Sequence, residues 1–305
     1  MPARRLRVGL QLPEVERPVR WSELSDMVRL AEDVGFDSIW VGDHLLYRYE
    51  DGPRGPWEAW STLAAVAAIT SRVELGPLVA ATSFHNPAML AKKAATIDEI
   101  SGGRLVLGLG AGWNEPEYTA FGFPFDHRVD RFEEAFTIIR TLLRDGRIDF
   151  EGRWYQARDC EILPRGPRPS GPPLMVGSVG PRMLGITLPH VDSWNAWYAW
   201  FGNDPARLGP MLESVDEACR AAGRDPAEVE RTVSVLVGMP GGGGRQEADE
   251  KGRQSRALGG EPAEIAAGLV QFGDLGVSHV QLVVDPITLG SIEALAAVLE
   301  LLDAA

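Results

Sequence analysis

A (β/α)8 barrel is the fold class this sequence predicts, and three observations lead there. Short runs rich in β-branched residues and Leu recur along the 305 residues. Helical patterns of roughly 10 to 20 residues separate most of them, which is the alternation of a parallel sheet. The runs read as apolar throughout rather than alternating, as strands covered on both faces do. Eight are placed, at Leu6 to Gln11, Ser38 to Gly42, Val73 to Leu78, Arg104 to Gly108, Leu174 to Gly177, Ser193 to Ala196, Thr232 to Gly238 and Val280 to Val284. An open, doubly wound sheet of eight parallel strands is the competing reading of the same order.

The helices follow from their end signals. Trp21-Ser22-Glu23 opens the first with Ser22 as its cap, and Leu24, Val28 and Ala31 keep helical spacing until Gly35 stops it. Glu58 to Thr70 is the second. Pro87 to Ile100 is the third, with Asn86 capping, Pro87 in the first turn and Gly102-Gly103 ending it. The fourth spans Asp126 to Arg144, with Phe132, Phe136, Ile139 and Leu143 on one stripe. Residues 146–173 hold Gly, Pro and Arg without a long period and read as an insertion between the fourth and fifth strands. Pro205 to Ala222, Ala263 to Leu275 and Ser291 to Leu302 complete the helices. The Gly-rich stretch at about 238–246 reads as a mobile loop, either a plain linker or a lid beside a substrate.

Composition excludes several function classes. Against 43 Asp and Glu there are 30 Lys and Arg, a net charge of −13 spread along the chain, so the basic face of a nucleic-acid reader or anionic-membrane binder is missing. Cys160 and Cys219 lie far apart with no CxxC and no His cluster, so neither a disulfide scaffold nor a metal site is indicated. The basic start runs directly into Val8-Gly9-Leu10-Gln11-Leu12, too short for a signal segment, and no apolar run reaches the ~18 residues of a membrane helix. A cytoplasmic protein is the expectation.

On a barrel, function sits on the loops after the C-terminal strand ends. Asp43-His44 follows the second strand, and a His near a pKa of ~6.5 exchanges protons at neutral pH, although it can equally tie a loop to backbone. Gly108-Leu109-Gly110-Ala111-Gly112 after the fourth strand lacks the GxGxxG spacing of a dinucleotide fingerprint; it suits either close backbone approach to a flat group or packing against a neighbouring strand. Gly177-Ser178-Val179-Gly180-Pro181-Arg182 combines a turn, a helix start and a guanidinium suited to phosphate, or is a plain turn. Trp57, Trp60, Trp113, Trp194, Trp197 and Trp200 lie near rim loops or helix starts, for stacking on a planar ligand or for core packing. Glu58 either complements a helix dipole or faces substrate.

Several segments taken together go further. Gly35-Phe36-Asp37-Ser38-Ile39-Trp40-Val41-Gly42-Asp43-His44, Asn86-Pro87-Ala88-Met89-Leu90-Ala91-Lys92, Ala95-Thr96-Ile97-Asp98-Glu99-Ile100-Ser101-Gly102-Gly103-Arg104 and Leu107-Gly108-Leu109-Gly110-Ala111-Gly112-Trp113 through Phe121-Gly122 resemble the bacterial luciferase-like flavin and deazaflavin oxidoreductases. The likeness covers nearly the whole chain and is strongest over residues 7–200. It is most similar to the branch dependent on coenzyme F420, in which Pro56-Trp57-Glu58-Ala59-Trp60 also occurs.

The resemblance implies one TIM-barrel domain over residues 1–305 that transfers a hydride between C5 of the deazaflavin and a small organic substrate. It places His44 beside the ring as proton donor or acceptor with Asp43 supporting it. Leu78, Val79, Ala81 and Thr82 would back the ring, often through a non-prolyl cis peptide, with Gly110, Ala111 and Gly112 bordering it. Gly177, Ser178, Gly180 and Arg182 would hold the phosphate, and Trp57, Glu58, Trp113, Trp194, Asn195 and Trp197 would face the substrate. Two departures stand out: Ser178-Val179 occupies positions where the family often has glycines, and Trp113 replaces a carboxylate used by some sugar-phosphate-oxidising members. Sugar-phosphate oxidation is therefore disfavoured, and the aromatic rim indicates an apolar or aromatic substrate. An FMN-dependent monooxygenase on the same barrel is the alternative; a non-catalytic flavin-binding barrel is the alternative of another class. A homodimer is common in the family. For an acidic chain to hold a cofactor with a phosphate and a polyglutamate tail, it needs a local basic patch, and Arg182 is the residue the sequence offers.

Overall fold

A computed structural model describes residues 4–243 and 254–304. In chain order the elements are β1 (Arg7–Gln11), α1 (Trp21–Val34), β2 (Ser38–Val41), β3 (Tyr47–Tyr49), β4 (Gly52–Arg54), α2 (Ala59–Ile69), β5 (Glu74–Pro77), β6 (Ala80–Ala81), α3 (Pro87–Ser101), β7 (Leu107–Gly110), α4 (Glu115–Phe121), α5 (Arg128–Asp145), β8 (Arg147–Glu151), β9 (Gln156–Glu161), β10 (Leu174–Gly177), α6 (Pro181–Thr187), β11 (Ser193–Ala196), α7 (Gly209–Ala221), β12 (Glu230–Gly238), α8 (Pro262–Asp274), β13 (His279–Asp285) and α9 (Leu289–Asp303). None of the described helices is long and apolar enough to cross a membrane.

The chain forms two compact units, one of Met1–Trp40 with Gly177–Ala305 and one of Val41–Val176. In the first unit β1 pairs in parallel with both β2 and β13, β13 with β12, and β12 with β11. Register fixes which residues share a face. Val8, Leu10, Ile39, Val233, Val235, Val280 and Leu282 are buried partners on one face, and α1, α8 and α9 supply the buried Leu24, Val28, Ile265, Leu269, Leu295 and Leu299. The other face carries Gly9, Gln11, Ser38, Trp40, Thr232, Ser234, His279 and Gln281, and the side chains there are buried as well. The strands are buried on both faces, but polarity alternates: one face is apolar and the other carries polar side chains, several of them hydrogen-bonded to one another. Asn195 Nδ2 donates to Thr232 Oγ1 at 2.9 Å and to Gln281 Oε1 at 2.7 Å.

In the second unit β7 pairs in parallel with β10 and β6, and a bridge joins Leu75 to Leu105. The α5 stripe of Phe132, Phe136, Ile139 and Leu143 is buried. Asn86 accepts the Met89 N–H at the start of α3, and Gly102 closes that helix in the left-handed region at φ 68°. The 146–173 insertion contains an antiparallel hairpin, β8 with β9.

Three expectations need correction. Helix α1 begins at Trp21 behind Arg20, so Ser22 lies inside its first turn and caps nothing; its carbonyl accepts Ser25 Oγ. The fourth strand is Leu107–Gly110, three residues later than the apolar run suggested. Arg104 is withdrawn to the ends of helices, donating to Ala67 O, Thr70 O, Thr70 Oγ1, Val73 O and Ser101 O. Pro205–Arg207 is a separate 3-10 turn capped by Asp204, ahead of α7. The Gly-rich loop lies only partly within the described residues: Gly243 N–H donates to Asp285 Oδ2 at 2.9 Å, while residues 244–246 fall outside them.

Candidate active site

The side chains that can handle protons converge in the second unit, on the loops after β2, β6 and β7. Extended chain leaving β2 points successive side chains to opposite sides. Asp43 therefore turns one way and His44 the other. Asp43 Oδ2 accepts the Ala81 N–H at 3.0 Å and lies 2.9 Å from His85 Nε2, which Trp60 Nε1 also approaches at 3.2 Å. His44 Nδ1 lies 2.8 Å from Glu117 Oε1. The carboxylate that orients His44 is thus that of Glu117, where the sequence suggested Asp43.

Glu117 sits on the short helix α4 and is fully buried. Its other oxygen accepts the Leu45 N–H at 2.6 Å, and Asn114 Nδ2 donates to Oε1 and to Leu46 O. Burial pushes the Glu117 carboxyl upward, but the bonds from His44, Leu45 and Asn114 outweigh it and hold the group below the ordinary carboxylate value. An ionised carboxylate only accepts, so His44 Nδ1 carries the hydrogen and Nε2 is the nitrogen able to exchange a proton.

The residues after β5 and at the ends of β6 and β7 are held by backbone and hydroxyl bonds. The Leu78–Val79 peptide is cis, and Leu78 N–H donates to Val41 O at 2.9 Å. Thr82 Oγ1 donates to Gly110 O at 3.2 Å. Register partners Ala81 and Gly110, at the ends of β6 and β7, present a methyl group and a hydrogen. Two of the rim glycines have internal reasons instead. A Cβ at Gly108 would collide with Pro77 O and Val79 Cγ1, and one at Gly112 with the hydroxyl of Tyr118. Tyr118 OH donates to Ala111 O at 3.0 Å, and burial pushes its pKa up to about 12.

Trp113 is 64% exposed, with its ring 5.7 Å from His44. Tyr47 lies 4.7 Å from His44 and 6.3 Å from Trp113. The other expected substrate residues have settings of their own. Glu58 is the N-cap of α2, accepting the Trp60 and Ser61 N–H groups. Trp57 is exposed beside it. In the first unit Trp194 is fully buried and donates to Ser178 O at 2.7 Å, and Asn195 is consumed by the polar face of the sheet; both belong to a strand covered on both sides. Trp197 is half-buried against Tyr198. Gly177 ends β10, Gly180 caps α6, and Arg182 is exposed on its first turn. Sequence reasoning missed Glu117, His85 and Tyr118. The Glu-Tyr pair at 117–118 was visible, but nothing local to it names a partner 73 residues away.

Comparison with known proteins defines the class. A solved F420-dependent secondary alcohol dehydrogenase, in complex with an F420–acetone adduct, superposes with a TM-score of 0.80 at 21% identity over 96% of this chain and 99% of that one. The chain thus has the (β/α)8-barrel fold. The profile of the family described as luciferase-like monooxygenase matches residues 6–257, and the chain belongs to that family. The F420-dependent glucose-6-phosphate dehydrogenase of Amycolatopsis mediterranei is 31% identical over 214 residues, 68% of this chain and 62% of that enzyme. The pyrimidine monooxygenase RutA of Cronobacter sakazakii is 34% identical over 173 residues, 55% of this chain and 50% of that enzyme. The chain therefore spans about three fifths or less of the length of these curated relatives.

Proposed function

We propose that the protein is an F420-dependent oxidoreductase acting in the cytoplasm as a homodimer on a small organic substrate, apolar or aromatic. The observation that carries the reading is the His44–Glu117 pair, a proton-exchanging imidazole held in one tautomer. The methyl of Ala81 and the hydrogen of Gly110 fit a planar ring system. When bound, the deazaflavin supplies a ring carbon that accepts or gives a hydride.

The protein's part is positioning and proton management. Glu117 holds the Nδ1 hydrogen, so His44 Nε2 takes the proton of an alcohol substrate in oxidation, or returns one to a carbonyl oxygen in reduction. Asp43 holds Ala81 through its backbone N–H and so braces the loop after β6. In the first unit, Gly177, Ser178, Gly180 and Arg182 are the residues proposed for the phosphate. The second reading, an FMN-dependent monooxygenase, is favoured by the likeness to RutA.

The test is titration of the purified protein with F420 and with FMN, following fluorescence quenching. Saturable binding of F420 is expected. Saturation by FMN alone, with oxygen consumption once the flavin is reduced, would replace the first reading with the second. Sedimentation velocity reads the dimer.

A further inference from the structure

A graded series of rings leads from a surface hairpin to the proton-exchanging histidine. Strands β3 and β4 form a two-stranded hairpin. The Arg54 guanidinium sits 5.0 Å over the ring of Tyr49, which stacks on Tyr47 at 6.0 Å and 13°. Tyr47 then meets His44 at 4.7 Å with its plane inclined by 46°. Trp113 closes the corner edge-on to His44, at 71°. Each orientation is set from outside the corner: His44 by Glu117, Tyr47 by the hairpin stack, and Trp113 by the turn that Asn114 ties to Leu46 O.

No two of the three corner rings stack flat on each other; their planes differ by 46°, 59° and 71°. They meet tilted or edge to face, and Tyr47 turns a face to Tyr49. The 64% exposure of Trp113 leaves the largest aromatic surface of the group open beside His44. A saturated ring laid there gains only apolar burial, whereas a flat conjugated one also gains quadrupole-matched contacts with the indole and phenol.

We propose that Tyr47 and Trp113 select for a substrate whose reacting carbonyl or alcohol carbon bears an aryl or other planar conjugated group, over a saturated substrate of equal size. The assignment rests on the reading of His44 as the proton-exchanging residue at the reacting end. Tyr47 and Trp113 are specificity-determining and take no part in proton transfer.

The experiment uses acetophenone and cyclohexyl methyl ketone, ligands of near-equal size that differ in planarity. Binding of each is measured by saturation-transfer NMR to protein loaded with oxidised F420, and in parallel to protein loaded with FMN. Cofactor occupancy is read separately from the cofactor's own fluorescence, so failure of the F420 reading is seen on its own. Two added aromatic contacts set the expected preference for acetophenone at about tenfold. That preference should fall below about twofold in Trp113→Ala and Tyr47→Leu, and return in Tyr47→Phe, with all three variants melting as cooperatively as the parent. Equal binding of the two ketones, absence of binding by both, or a preference unchanged in Trp113→Ala would each overturn the proposal.

Discussion

The hydroxyl of Tyr118 occupies the place where a side chain at Gly112 would begin. Gly112 also sits at φ 76°, in the region that favours glycine. Gly112→Ala is therefore expected to destabilise by about 2–4 kcal/mol, from overpacking plus backbone strain. Tyr118→Phe removes the clashing oxygen and costs about 1 kcal/mol for the lost bond to Ala111 O. The double variant should be more stable than the sum of the two singles. Urea denaturation of the four proteins checks this; strict additivity would mean that the two residues do not compete for the space.

His44→Gln should leave F420 affinity and the melting temperature close to the parent while lowering turnover by about 10²–10⁴-fold. Glu117→Gln keeps an acceptor oxygen for Nδ1 but removes the charge that supports a protonated imidazole. It is expected to lower turnover less than His44→Gln and to shift the acidic limb of the pH profile. Single-turnover measurement separates these effects from substrate binding.

Stability against pH offers a second reading of Glu117. Its folded-state pKa lies below the ordinary value, so the folded protein binds fewer protons near that value than the unfolded chain does. The stabilisation is present above the ordinary carboxylate range of about 4.3 and is lost as pH falls through the lower folded value. The melting temperature of the parent should exceed that of Glu117→Gln at pH 6, and the gap should narrow below about pH 4. A gap independent of pH would show that the carboxyl has the same pKa folded and unfolded.

His279 gives the opposite kind of group in the first unit. Trp40 Nε1 donates to Ser38 Oγ at 2.7 Å, and the same oxygen lies 2.8 Å from His279 Nε2. Burial, with a smaller push from Arg7, holds the His279 pKa well below the ordinary value. The unfolded chain takes up this proton first, so stability falls as pH drops below about 6.5, with a slope from this residue of up to about 1.4 kcal/mol per pH unit. His279→Gln should lack that slope in calorimetric melts between pH 7 and pH 5.

Arg104→Lys tests the clamp over the ends of α2 and α3. An ammonium cannot reach five acceptors arranged for a planar fork, and a loss of about 2–3 kcal/mol is expected, read by denaturant midpoint. A loss under about 0.5 kcal/mol would mean that the carbonyls are satisfied without it.

The barrel's strands and most helix ends were legible because their signals are local: apolar runs, Asn86 before Pro87, and Gly35 and Gly102 at helix ends. The site was legible only on the side carried by contiguous residues. Asp43 next to His44 suggested a pair, yet adjacency in extended chain sends two side chains apart. The true partner, Glu117, lies on a seven-residue helix too short to show a period. For Trp194 and Asn195 the strand was readable from the sequence, while the depth of burial was not.

Helix α4 carries the acid for one loop and the hydroxyl for the next on consecutive residues, Glu117 and Tyr118. One inserted residue between Asn114 and Glu117 would rotate both by about 100°. Proton relay and glycine turn would then fail together. For chimeras between relatives, residues 107–123 and the His44 loop are accordingly exchanged together: a junction inside 107–123 divides a helix whose register serves two loops at once, and a junction between the two segments parts Glu117 from His44.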